Sequence, residues 1–196
     1  VLTETVLMQR PMRVAVLLSG AGSTLRAIVA ARLNIEIVAV LSDRADAAGL
    51  AFAQTLGLNA LCIQRHDYGT KRAFEAAMIN ALDAVNPRII VLAGFMRVLS
   101  ATMVARFAGR MINLHPSLLP KYPGLDTHAR ALAAGDGEHG ASVHWVTAEL
   151  DGGPVIAQMR TAILPDDTAA SLAARLKPIE HALVVSVLAQ LVASST

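Results

Sequence analysis

Short apolar runs alternate with longer amphipathic stretches along the N-terminal part of the chain. The runs have the length and composition of buried strands, and the stretches between them have helical spacing. The predicted strands are Arg13 to Leu18, Ile35 to Leu41, Ala60 to Ile63, Arg88 to Ala93 and Met111 to His115. The predicted helices are Leu25 to Ala31, Ala47 to Leu56, Thr70 to Asp83 and Ser100 to Arg106. This alternation predicts an α/β fold of three layers, αβα, with a mostly parallel, doubly wound, Rossmann-like sheet.

The alternation of predicted strands and helices ends at a segment that contains Pro116, Pro120 and Pro123. Only residues 147–153 separate two further predicted strands, and so short a connection indicates an antiparallel hairpin. Two helices follow, with Pro178 between them as a kink or a new start. The predicted strands are Ala141 to Val146 and Pro154 to Met159, and the predicted helices are Thr168 to Leu176 and Ile179 to Val192. We therefore expect one domain over residues 1–196, with a poorly ordered extension at 1–10.

Composition narrows the classes of function. Hydrophobic residues make up 54% of the chain and charged residues 16%, which indicates a buried core and argues against disorder. The net charge is only +2 and the basic residues are scattered, so we expect no nucleic-acid partner. The single cysteine, Cys62, excludes an internal disulfide and fits a reducing compartment.

We also expect no membrane partner. The apolar stretch Ala182 to Ala193 has about twelve residues, which is too short to span a bilayer. No signal peptide is visible at the N-terminus. The composition therefore predicts a soluble, cytoplasmic protein. We expect it to have small-molecule partners and to be a monomer or a homodimer.

The segment Ile112 to Gly124 carries the first candidate chemistry. Asn113 and His115 are two residues apart at the end of a predicted strand, so their side chains project from the same face. An amide donor and an imidazole can stabilise an oxyanion and manage a proton, as acyl transfer requires. The alternative is a strand that enters a rigid turn, with the two side chains capping backbone groups.

Asp151 lies on the predicted hairpin turn, in Leu150-Asp151-Gly152-Gly153. An Asp-Gly pair in a turn is usually structural. If the hairpin brings Asp151 beside His115, however, the carboxylate favours the protonated imidazole that oxyanion stabilisation needs.

Residues Ser19 to Thr24 connect the first predicted strand to the first predicted helix. Glycine lets the backbone approach a ligand closely, and the N-terminus of a helix offers N–H groups and a positive dipole end to a phosphate. The dinucleotide fingerprint fails because Leu25 occupies its third glycine position, and no P-loop lysine is present. Two interpretations remain: a phosphomonoester loop with Ser23 and Thr24 as hydroxyl donors, or a tight turn with a helix cap.

His139 and His144 have a spacing that occurs in metal sites. No cysteine pair, His-Glu-x-x-His motif or evident third ligand accompanies them, so we predict no metal.

Taken together, these residues resemble the phosphoribosylglycinamide formyltransferases, a family of folate-dependent enzymes of purine synthesis. The Asn-x-His-Pro-Ser-Leu-Leu-Pro segment marks the wider formyltransferase superfamily, and the first loop and the Leu-Asp-Gly-Gly-Pro hairpin favour this member of it. The matching pieces are Val16 to Ser23, Leu92 to Leu99, Ile112 to Gly124, Glu138 to His144 and Glu149 to Ile156.

The resemblance implies transfer of a formyl group from the co-substrate 10-formyltetrahydrofolate to the amine of 5-phosphoribosylglycinamide, without a metal or a covalent enzyme intermediate. It implies that Asn113 and a protonated His115 stabilise the oxyanion, and that Asp151 orders water and tunes His115. It further implies that Gly22, Ser23 and Thr24 hold the phosphate and that Glu180 binds the ribose hydroxyls. The implied folate-binding residues are Lys71, Met96, Arg97, Val98, Leu99, Asn113, Thr147, Ala148, Glu149, Leu150 and Asp151.

Three positions depart from the family pattern. Thr24 stands where asparagine is usual, and Lys71 stands where the family often has an arginine that contacts folate. Pro178 interrupts the helix expected to carry Glu180. Two other functions stay open: a formyltetrahydrofolate hydrolase with the same Asn/His/Asp site, and a non-catalytic folate- or nucleotide-binding protein on the same fold.

Overall fold

The computed structural model describes residues 10–194 of the chain, so the extension predicted at residues 1–10 lies outside the described residues except for Arg10. The strands are β1 (Met12–Leu18), β2 (Ile35–Ser42), β3 (Ala60–Cys62), β4 (Ile89–Leu92), β5 (Met111–His115), β6 (Glu138–Trp145) and β7 (Val155–Ala162). The helices are α1 (Ser23–Ala30), α2 (Ala48–Thr55), α3 (Lys71–Val85), α4 (Ala101–Arg106), α5 (Thr127–Ala133) and α6 (Ala169–Ala193). A 3₁₀ turn occupies Arg65–Asp67. The predicted α/β class is confirmed.

The strands form one sheet of seven in the order β3-β2-β1-β4-β5-β6-β7. Strands β1 to β5 pair in parallel, whereas β6 pairs antiparallel with both β5 and β7. The predicted C-terminal hairpin is therefore confirmed. The strand order reverses between β1 and β4, and in sheets of this type ligands bind in the crevice at the carboxyl ends of the strands where that reversal occurs.

Alternate residues of the central strands pack into two separate apolar cores, one on each face of the sheet. On β1, Val14, Val16 and Leu18 face a cluster shared with α1, α2 and α6, whereas Ala15 and Leu17 face a cluster shared with α3 and α4. Because both faces of a parallel sheet are buried under helices, its strands are apolar at nearly every position. This arrangement is the predicted three-layer architecture.

The helix α6 corrects one prediction, because Pro178 neither ends it nor starts a new one. Proline in a helix removes one hydrogen bond to the carbonyl four residues earlier. Both Pro178 and Ala174, which carries that carbonyl, are exposed, so water can replace the lost bond. Leu176 and Leu183, on either side of the proline, belong to the same buried core and stabilise a continuous helix.

At 25 residues, α6 is also long and apolar enough to cross a membrane by length and composition alone. The prediction from the sequence that the C-terminal apolar stretch is too short for this was wrong, because it counted only the part after Pro178. In the structure, α6 packs against β6, β7 and α1, and Val184, Val187 and Leu188 are completely or almost completely buried there.

Candidate active site

The end of β5 brings Asn113 and His115 next to Asp151 from the β6–β7 connection. Asn113 Nδ2 lies 3.2 Å from Asp151 Oδ1, and His115 Nδ1 lies 3.4 Å from Asp151 Oδ2. Asp151 has a left-handed backbone, with φ of 51°, which aspartate tolerates better than most residues. The three side chains proposed from the sequence therefore meet in one cluster.

Both ring nitrogens of His115 face hydrogen-bond acceptors. Nε2 is 2.9 Å from the carbonyl oxygen of Tyr122, and Nδ1 faces the carboxylate of Asp151. A carbonyl and a carboxylate can only accept, so the ring satisfies both only when it is protonated. His115 is 5% exposed, and burial of such a pair strengthens the interaction between its charges.

A second histidine, His144, completes the cluster from β6. It lies directly opposite Asn113 in the antiparallel pairing, and its Nε2 is 3.1 Å from Asn113 Nδ2. Its Nδ1 is 2.9 Å from the carbonyl oxygen of Trp145. This carbonyl assigns the ring proton to Nδ1, which leaves Nε2 to accept from the Asn113 amide.

Asp151 stays ionised at the centre of these contacts. Burial by itself raises the pKa of Asp151, but the contact with His144, the Gly124 N–H at 2.8 Å and the charge of His115 outweigh it. The net result is a pKa below the ordinary value for aspartate. The cluster thus offers an ionised carboxylate in fixed contact with the imidazole of His115.

Buried hydroxyls fix the proline-rich segment against β6. Ser142, which is completely buried, donates to the Ser117 carbonyl at 2.6 Å and accepts from the Leu119 N–H at 3.0 Å. Thr127 Oγ1 donates to the Pro116 carbonyl at 2.6 Å and joins the segment to α5. These bonds hold the segment that supplies the Tyr122 carbonyl and the Gly124 N–H to the cluster.

The predicted phosphate loop ends at the first turn of α1, with Gly22 as the residue before the helix. Gly22 has φ of 71°, and a Cβ at this position would overlap with the Cα of Gly49. Glycine is thus required here by the backbone conformation and by the close approach of two loops. Ser23 is half-buried and Thr24 is buried, at 6% exposure, so Ser23 is the more accessible hydroxyl.

The segment after β4, predicted to line a folate pocket, presents apolar side chains to solvent. Met96 is 69% exposed and Val98 is 62% exposed, whereas Leu99 is half-buried. Arg97 forms an ion pair with Asp43, with Nε 2.6 Å from Oδ2. Exposed apolar groups of this size are candidates for contact with a flat, largely apolar ligand.

The β6–β7 connection supplies the other predicted folate residues. Ala148, Glu149 and Leu150 are exposed, Leu150 at 54%, and Thr147 is half-buried. The Leu150 side chain also lies 4.0 Å from the position that a Cβ on Gly124 would occupy, so the connection runs beside the end of the proline-rich segment.

Lys71 lies on α3 and Glu180 lies on α6, and each is paired with a neighbour on its own helix. Lys71 begins α3, and its Nζ is 3.7 Å from Oε1 of the buried Glu75. Glu180 is 4% exposed on α6, where Lys177 donates to it. Among residues 10–194, no hydrogen bond or ion pair joins the Asn113, His115 and Asp151 cluster to Gly22, Lys71 or Glu180.

Comparisons with known proteins identify the family of this chain. The formyl transferase family model matches residues 12–188. The chain belongs to the formyl transferase family. It is 45% identical to the phosphoribosylglycinamide formyltransferase of Escherichia coli over 88% of this chain and 83% of that protein. The solved phosphoribosylglycinamide formyltransferase of Coxiella burnetii superposes with a TM-score of 0.90 at 48% identity, covering 94% of this chain and 88% of that one.

Similar sequences also occur within larger proteins. The chain is 42% identical to part of the trifunctional purine biosynthetic protein adenosine-3 of Drosophila melanogaster, over 97% of this chain but only 14% of that protein. These comparisons confirm the family resemblance seen in the sequence, and they support a one-carbon transferase of purine biosynthesis.

Sequence reasoning missed the position of His144, which it considered only as a metal ligand with His139. The two do not meet: His139 is instead paired with His128, at 3.1 Å between Nε2 and Nδ1. The signal for His144 was the antiparallel hairpin, because alternation along β6 and the register with β5 place it opposite Asn113. Within residues 10–194, no group of three His, Cys, Asp or Glu side chains has the arrangement of a metal site.

Proposed function

We propose that this formyl transferase moves the formyl group of 10-formyltetrahydrofolate to the amine of 5-phosphoribosylglycinamide. The observation that carries the proposal is the contact of Asp151 with both Asn113 and His115, since this places an amide donor and an imidazole each within 3.4 Å of one ionised carboxylate. The same reaction is named for the relatives from Escherichia coli and Coxiella burnetii.

The proposed chemistry is direct attack of the amine on the formyl carbon. A C–N bond forms to the glycinamide nitrogen, the formyl oxygen becomes an oxyanion, and the C–N10 bond to the folate then breaks. The proton lost by the attacking amine goes to N10 of the departing tetrahydrofolate, so the reaction is balanced without a redox step or a metal.

In the proposed mechanism, Asn113 and the protonated His115 stabilise the oxyanion, because preorganised donors act on charge that develops in the transition state. Asn113 now donates to Asp151 at 3.2 Å and to His144 at 3.1 Å, so one of these bonds is exchanged for the formyl oxygen. Asp151 then keeps His115 protonated and orders the water that relays the amine proton.

The proposed binding sites for the phosphate, the ribose and the folate ring are supported by separate observations. The turn at Gly22, Ser23 and Thr24 would bind the phosphate at the N-terminus of α1. The buried carboxylate of Glu180 would accept from the ribose hydroxyls once Lys177 releases it. The exposed Met96, Val98 and Leu150 support an apolar wall for the folate ring, and the accompanying residues of that set are Lys71, Arg97, Leu99, Thr147, Ala148 and Glu149.

The proposal includes small-molecule substrates, a single domain and a cytoplasmic location, with no resident metal. The test supplies purified protein with both substrates and follows tetrahydrofolate by absorbance and the formylated ribonucleotide by mass spectrometry. Release of formate without the amine substrate would instead identify a hydrolase, and tight calorimetric binding of both compounds without product would identify a binding protein. Either result would refute the transferase.

A further inference from the structure

A buried serine connects the two loops that meet at the reversal of strand order. Ser19, the residue after β1, donates its N–H to the Gly94 carbonyl at 3.0 Å. Its hydroxyl accepts from the Met96 N–H at 2.9 Å and donates to Asp43 Oδ1 at 2.6 Å. Ser19 thus links the start of the proposed phosphate loop to the backbone of the proposed folate segment.

Asp43, the residue after β2, accepts hydrogen bonds from both Ser19 and Arg97. Its second oxygen, Oδ2, accepts from Arg97 Nε at 2.6 Å. The Asp43 side chain is 3% exposed, whereas that of Arg97 is 46% exposed. A carboxylate so deeply buried is stable only when it is paired and hydrogen-bonded, and here one charge and one hydroxyl meet that need.

We infer that Asp43 is a positioning residue for both substrates of the proposed reaction. Through Ser19 it fixes the chain that enters the phosphate loop, and through Arg97 it fixes the segment that lines the folate pocket. The inference rests on the proposed function for the identity of the substrates. It adds a residue from a third strand, β2, which contributes none of the proposed catalytic or substrate-binding groups.

Because the charge of Asp43 is buried, a change at Arg97 in the folate segment should also affect binding at the proposed phosphate loop. Without the guanidinium of Arg97, Asp43 becomes an uncompensated carboxylate one hydrogen bond from the loop proposed to bind a phosphate. Like charges repel most strongly where water is excluded. Arg97→Met should therefore raise KM for the phosphorylated substrate, although Arg97 itself belongs to the folate segment.

The experiment measures KM for each substrate and kcat in four variants. Asp43→Ala should raise both KM values by about tenfold while kcat changes by less than about threefold, since hydrogen bonds to charged groups contribute on this scale. Arg97→Met should raise the ribonucleotide KM by a similar factor. Asp43→Asn combined with Arg97→Met should restore most of that loss, because the buried charge is gone.

Asp46→Ala is the matched control. Asp46 is three residues from Asp43 and bonds to Arg44 at 2.7 Å, but this pair is exposed and has no contact with Ser19. Its kinetic constants should equal those of the wild type. A merely structural role for Asp43 would lower the melting temperature and the active fraction without moving either KM.

The inference is overturned if both KM values of Asp43→Ala stay within twofold of wild type, or if the double variant is as impaired as Arg97→Met. Absence of turnover in the wild type would count against the proposed function instead. In that case, calorimetric dissociation constants for the two compounds test Asp43 with the same variants and the same expected ratios.

Discussion

Replacement of Asp151 by asparagine is the sharpest test of the cluster at the end of β5. Asparagine preserves the volume, tolerates the left-handed backbone and retains one oxygen to accept the Gly124 N–H, so the variant removes the charge and little else. The charges of Asp151 and a protonated His115 are 3.4 Å apart and almost fully buried. At an effective dielectric constant of about 20, their attraction is about 5 kcal/mol, which corresponds to more than three powers of ten.

We expect Asp151→Asn to lower kcat by about 100- to 1,000-fold. This is less than the factor that corresponds to the full charge–charge attraction, because the amide can still hydrogen-bond to neighbouring groups. The assay is steady-state formation of the formylated ribonucleotide at saturating concentrations of both substrates. KM should change less than kcat, since the lost interaction acts mainly in the transition state.

Asp126→Asn is the control, because Asp126 is another left-handed aspartate, exposed and without a side-chain cap bond to α5. It should keep wild-type kcat. A folded Asp151→Asn variant with kcat within threefold of wild type would refute the role of the charge pair.

Three further predictions concern stability and the first loop. Burial lowers the pKa of His139 to about 4, so the unfolded state binds more protons between that pH and about 6.5. This group should therefore cost up to about 2 kcal/mol of unfolding free energy from pH 7 to pH 5 in urea titrations. His139→Gln should reduce the total loss over that range, and part of it should remain because burial also lowers the pKa values of His128 and His181. Gly22→Ala forces a side chain into the backbone of Gly49 at a positive φ, so it should raise the KM for the ribonucleotide and lower the melting temperature. Pro178→Ala restores a hydrogen bond within α6 and should raise the free energy of unfolding by about 1–3 kcal/mol in urea titrations; an unchanged value would mean that the proline is not strained there.

The central sheet was predictable because its strands are buried on both faces. Val14 to Leu18 and Ile89 to Leu92 are apolar at every position, and a run of this kind between helical stretches has few alternatives. The helix α5 was missed because Thr127–Ala133 is only seven residues long and follows a proline-rich segment. Its start depends on tertiary contacts such as the bond from Thr127 to Pro116, which no local pattern reveals.

The candidate site was predictable only as far as residue types and strand ends allow. Asn113, His115 and Asp151 follow from strand periodicity, the hairpin turn and the family resemblance, and the structure joins them. The hydrogen-bond partners of His115 and of the neighbouring His144 were not predictable, because the Tyr122 carbonyl and the Trp145 carbonyl are backbone groups positioned by the path of the chain. Backbone acceptors have no signature in a sequence.

Those two carbonyls nevertheless distinguish the surroundings of the two histidines. His115 has acceptors at both nitrogens, so a proton on each is satisfied. His144 has an acceptor at Nδ1 but the amide donor of Asn113 at Nε2, 3.1 Å away, which is closer than Asp151 at 3.6 Å. A second protonated imidazole would place two donors face to face at Asn113. In the proposed mechanism, His115 is therefore the imidazole matched to the carboxylate, and His144 holds the Asn113 amide in the orientation that an oxyanion requires.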